Sequence, residues 1–158
     1  NDEVLKSVTL PGAATPIGAD ANGKIWAAVG ISALRISPDS YVVEATLPIG
    51  TDASKSPGNF SFSSDLKTIY FVLSYYDASY NAHGETYKFA ITDAQINLNT
   101  PFIKRYFTGL GVDPSQGLIY AGVTPSLSQS GYAVRYRADG SLVDSVKVGI
   151  SPTGFFFK

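Results

Sequence analysis

One phrase is written three times along the chain. It reads "DANGKIWAAV" at residues 20–29, "DLKTIYFVL" at 65–73 and "DPSQGLIYAG" at 113–122. In each copy an Asp and a few turn residues precede an isoleucine, an aromatic ring and small or branched apolar side chains. The pairs are Ile25-Trp26, Ile69-Tyr70 and Ile119-Tyr120, so the motif returns after 44 and then 50 residues. Self-similarity at such a period is the mark of repeat arrays and propeller blades. The match extends to both sides. Upstream of each phrase lies a short apolar segment: "PIGAD", "NFSFSSD" and "GLGVD". Downstream lie two more strand-like stretches, such as "SALRISP" and "YVVEATLPIG" in the first copy. Each unit reads as four strands in chain order.

Local chemistry agrees. Asn22-Gly23 and Asp139-Gly140 are strong hairpin signals. Residues 86–91 and 132–137 alternate polar and apolar at period two, as half-buried strands do. Ile69 to Leu73 is a continuous apolar run and suits a strand covered on both faces. No segment predicts a convincing helix; residues 92–98 are the best place for a single turn. The composition fits many short strands joined by turns, with Tyr 10, Phe 9, Gly 15 and Pro 9. With 158 residues the chain is long enough for one domain with a buried core.

The reading is therefore an all-β chain: about three four-stranded antiparallel blades at residues 16–50, 57–109 and 109–150. Residues 1–15 and 151–158 read as strands of adjoining blades. Rings of such blades need about four to eight, so three predict part of a larger ring. The missing blades would come from the same precursor or from another chain. The absence of Met, even at position 1, predicts that the chain does not start at its own initiation codon.

The stretches "GVDPSQGLIYAG", "YRADGSLVDSVKVGISPTGFFF" and "ADANGKIWAAV" resemble the C-terminal blades of surface-layer-like (YVTN-type) β-propeller proteins of Bacteroidetes. In that family a late G-I-x-P-x-x-F-x-F adds an innermost strand to the first blade. Gly149, Ile150, Pro152, Phe155 and Phe157 match it. The resemblance implies an exported protein of the periplasm or outer-membrane surface, a lipoprotein in its full-length form. It also implies a non-enzymatic role, binding a ligand or protein through the loops on one face. Some members of the group capture cobalamin and hand it to an outer-membrane transporter. The alternatives are a protein-interaction scaffold and a lactonase- or quinoprotein-like propeller enzyme.

Binding is expected where loops vary on a rigid scaffold. The long loops are residues 50–59 and 74–85, and a third, 124–131, is small and polar, so that 74–85 is the middle of the three. The middle one carries Tyr75, Tyr76, Asp77, Tyr80, Asn81 and His83, the candidate ligand-binding residues. Tyrosine joins large contact area to a polar tip and little rotamer entropy. The competing reading is that these rings pack back on the blade edge as plugs. No catalytic residue is singled out and no cofactor is called for. A single His and the lack of Cys leave little from which to build a transition-metal site. Asp20, Asp65 and Asp113 recur beside the first turn of each unit; with no calcium-loop pattern they read as turn formers. Trp26 reads as core. Arg35, Arg135 and Arg137 read as lying on third strands; Arg135 and Arg137 share a face and read as solvated or acid-paired, and Lys104 and Arg105 as edge-strand charges. A net charge of −1 without a basic block argues against nucleic acid as a partner.

Overall fold

The computed structural model describes residues 6–158. They form eleven strands and no helix. The first sheet is β1 (Ala14–Ala19), β2 (Ile25–Val29), β3 (Ser32–Ile36) and β4 (Val43–Pro48). The second is β5 (Ser56–Phe62), β6 (Thr68–Tyr76) and β7 (Ala82–Ala90). The third is β8 (Gly109–Val112), β9 (Ile119–Val123), β10 (Ser130–Tyr136) and β11 (Leu142–Ile150). Every sheet is an antiparallel meander in chain order. The sheets follow one another as an open row, with β1 beside β5 and β5 beside β8.

The repeated phrase explains how they stack. Successive residues of a strand point to opposite faces. The isoleucine of each pair therefore faces the preceding sheet and the aromatic faces the following one. Ile69 and Ile119 are 0% and 1% exposed, one in each core between sheets. Ile25, with no described sheet before it, is 40% exposed. Trp26 packs forward between the first and second sheets, its ring 5.5 Å from that of Phe89. Tyr70 packs forward between the second and third, against Phe102. Tyr120 packs forward onto Phe155 and Phe157 of the C-terminal segment. The run from Ile69 to Leu73 is buried throughout, as a strand covered on both faces must be.

The turns between the first and second strands of each unit rest on the repeated aspartates. Asp20 accepts the amides of Asn22 and Lys24 and the indole N–H of Trp26. Asp65 accepts Ser63 Oγ and the Lys67 amide. Asp113 accepts the amides of Ser115 and Gln116 and the Ser115 hydroxyl. Their role is to hold turns.

Three expectations need correction. The second unit has three strands, not four. Its predicted fourth segment makes a single bridge, Ile103 to Thr86. Pro101 has no N–H to give, and the Arg105 amide folds back on the Ile103 carbonyl, which ends the pairing. The flanking segments form no strand either. Residues 6–13 contain none, while the start of that predicted strand, Val4 and Leu5, lies outside the described residues. Residues 151–158 contain none, yet they lie flat on the third sheet. A Cβ at Gly109 or Gly122 would sit inside the backbone of Thr153 or Pro152, so this close approach requires glycine. Residues 92–98 contain the end of a turn and a bend and are otherwise irregular, with no helical turn.

Candidate functional site

The long central loop contracts in the structure. β6 runs on to Tyr76 and β7 begins at Ala82, leaving residues 77–81 outside the strands. Tyr75 pairs with His83 and Tyr76 with Ala82 across the hairpin. The expected twelve-residue loop is thus a strand pair projecting from the second sheet, with a tight tip.

Asp77 builds the tip. Its carboxylate accepts the amides of Ser79 and Asn81 and the Asn81 side-chain amide. Its other contact is with His83 Nε2 at 2.9 Å. His83 and then Asn81 hold the Asp77 carboxyl well below the usual carboxylate range. With both oxygens engaged from within, Asp77 and Asn81 form the turn and are poorly placed to meet a ligand. His83 is oriented by Asp77 and stacks on Tyr75 with ring centroids 5.4 Å apart.

The tyrosines divide. Tyr75 is 38% exposed, stacked with His83 and with the Lys55 ammonium over its ring, 5.3 Å from the ring centre. Tyr76 is 69% exposed and Tyr80 87% exposed. The plug reading does not describe Tyr76 or Tyr80, whose rings stand in solvent. Tyr80 also has φ 61, in the left-handed region. The tip is closed by Tyr80 N donating to the Asp77 carbonyl and Asp77 N to that of Asn81. The same closure recurs at Asp20 and at Arg137, where the equivalent left-handed position is Gly23 or Gly140. Leu66 takes it at Ser63. A side chain there costs about 1 kcal/mol relative to glycine.

Beside the hairpin lies a small polar cleft, about 290 Å³, lined by Lys55, Tyr75, His83, Gly84, Glu85 and Lys104. Glu85 is engaged there by the hydroxyl of Tyr87. Burial and then Glu85 push the Tyr87 hydroxyl up to about 12, so it remains a donor. Lys55 and Lys104, read from sequence as a loop residue and an edge charge, therefore meet at the cleft. Sequence reasoning missed this, since it depends on which loops the sheets bring together. A larger open concavity of about 800 Å³ lies between residues 48–51 and 94–99. None of its lining residues titrates, so it offers contact without acid–base chemistry. Among the described residues no three acids, histidines or cysteines gather to hold a metal.

No family model and no curated protein matches the chain. A solved structure of a quinoprotein alcohol dehydrogenase-like protein from Bacteroides thetaiotaomicron is similar over 85% of the chain, with 19% identity and a TM-score of 0.55. The chain spans 33% of that protein's length. The likeness is one of fold: a propeller-type succession of antiparallel sheets, here not closed into a ring.

Proposed function

We propose that this chain is part of a non-enzymatic β-propeller of the surface-layer-like kind, exported to the cell envelope, which binds its ligand at the β6–β7 hairpin. The ring is completed by further sheets. Tyr80 carries the reading. A ring 87% exposed, on a residue held where the turns at Asp20 and Arg137 place glycine and the turn at Ser63 places Leu66, costs the fold stability and returns no packing. Tyr76 beside it, and the Tyr75–His83 stack flanked by Lys55 and Lys104, supply contact area, a polar edge and positive charge. Asp77 and Asn81 act behind them by fixing the hairpin tip.

Cobalamin is the first ligand to test, being large, flat-faced and rich in amides that tyrosine hydroxyls can meet. Equilibrium titration with cyanocobalamin is expected to give saturable binding. Tyr80→Gly is expected to weaken binding at least about tenfold, the weight of one good aromatic contact. The same variant should unfold at equal or higher urea, because it relieves the left-handed strain. A Tyr80→Gly protein that loses stability and keeps full affinity would overturn this role for the hairpin. No binding of cyanocobalamin at micromolar concentration removes that ligand.

A further inference from the structure

Opposite each forward-facing aromatic, on the third strand of the same sheet, stands a cation. Trp26 pairs across the sheet with Arg35, Tyr70 with Lys88 and Tyr120 with Arg135. The first two reach forward. Arg35 Nη1 donates to the Ile91 carbonyl at 3.2 Å, just past the third strand of the second sheet. Lys88 Nζ donates to the Ala138 carbonyl at 3.2 Å, just past the third strand of the third sheet. Each cation thus ties its own sheet to the main chain leaving the third strand of the next. Arg135 has no such sheet before it. It turns back onto Asp144 of its own sheet, with Nε 2.7 Å from Oδ1 and Nη2 on Oδ2.

The face around Arg135 is uncovered in the same sense. In the first sheet the cross-strand pair Ala33 and Leu47 is 0% and 2% exposed beneath the second sheet. In the third sheet the corresponding pair is Ala133 and Val146, and Val146 is 54% exposed. The inner part of this face is already occupied. The chain's own "SPTGFFF" at 151–157 matches "SPGNFSF" at 56–62, which is β5. It sits against the start of β8 as the start of β8 sits against β5: Asn59 of β5 donates to the Phe107 carbonyl ahead of β8, and Thr108 Oγ1 ahead of β8 donates to that of Pro152. Residues 151–157 stand where a first strand belongs, with no second strand beside them.

We propose that Arg135 is the clamp for the next sheet. It exchanges Asp144 for the main-chain carbonyl that follows the third strand of an incoming sheet. The occupant is the second and third strands of a further repeat of this same kind, pairing with the open edge of residues 151–157 and covering Ala133 and Val146. Two successive interfaces within the chain already have this geometry, and the third is built up to its last partner. The inference rests on the reading of the chain as part of a larger ring, but not on any ligand at the hairpin.

The probe is a peptide spanning residues 24–39 of this chain, the β2–β3 hairpin, titrated into the ¹⁵N-labelled protein. Saturable shifts are expected at the amides of 153–157 and at Arg135 Nε. Arg135→Ala should weaken the peptide about tenfold, the weight of one hydrogen bond from a charged donor. Arg135→Lys, which copies Lys88, should largely restore it. Asp144→Ala removes the competing partner and should tighten binding severalfold. The amide spectrum of each variant reports whether it is folded. Absence of shifts in the tail, equal affinity for wild type and Arg135→Ala, or weaker binding by Asp144→Ala would each overturn the proposal. A failed cyanocobalamin titration leaves this test untouched, since the two experiments read different surfaces.

Discussion

Truncating the same isoleucine in each of the three repeats tests the stacking directly. Ile25, Ile69 and Ile119 occupy one motif position but are 40%, 0% and 1% exposed. Isoleucine to alanine removes three carbons, worth about 2.4 kcal/mol at roughly 0.8 kcal/mol each. In a closed core the unfilled space adds to this, giving about 3–4 kcal/mol for Ile69→Ala and Ile119→Ala. At Ile25 the side chain is already partly in water and no closed cavity forms. The expected cost there is about 1.4 kcal/mol, the transfer contribution scaled by burial. Urea unfolding followed by the fluorescence of Trp26, the single tryptophan, measures all three on one probe. The midpoints should fall little for Ile25→Ala and two to three times further for the others. Equal losses at the three positions, or the largest at Ile25, would refute the assignment of isoleucines to the preceding sheet.

Trp26→Phe should cost about 3 kcal/mol by circular dichroism in urea, because it shrinks the core and strips the buried Asp20 carboxylate of its indole donor at 2.8 Å. Gly122→Ala should dislodge residues 151–158 while leaving the sheets paired, since its Cβ collides with the Pro152 carbonyl. Amide exchange should then accelerate at 153–157 alone; unchanged protection there would contradict the packing. Acid should loosen the turns. Hydrogen bonds hold Asp65, Asp77 and Asp113 below their ordinary 3.8. As the pH falls past that value the unfolded chain takes up protons first. The stabilisation is thus complete above about pH 5 and drains away below 4. Thermal melts between pH 6 and 2.5 should show the midpoint dropping in that window, and a flat profile would exclude the turn aspartates as its source.

The repeat itself is legible without coordinates. Strand alternation, Asn-Gly and Asp-Gly turns and the Asp ahead of each Ile-aromatic pair are local properties, each decided by a few neighbouring residues. They sufficed for the sheet class, the meander order and the burial of Trp26 and Tyr70. The errors fall where pairing depends on distant chain. Ser74 to Glu85 looked like a loop because Asp77, Ser79, Asn81 and Gly84, all turn formers, are spread along it. Pairing of Tyr75 with His83 across the hairpin turned most of it into strand. Residues 101–106 looked like strand but had too few free donors to stay paired with β7.

The candidate site divides in the same way. That the tyrosines cluster is written in the sequence. That Asp77 and Asn81 are consumed by the turn, that Tyr80 is left-handed and in solvent, and that Lys55 and Lys104 arrive beside Tyr75 from separate connections is decided by tertiary structure. Arg135 is the sharpest case. Its period-two pattern announces only a face of the sheet. Whether it grips a neighbouring sheet or its own Asp144 depends on what stands across that face, and long-range packing sets this where local pattern cannot.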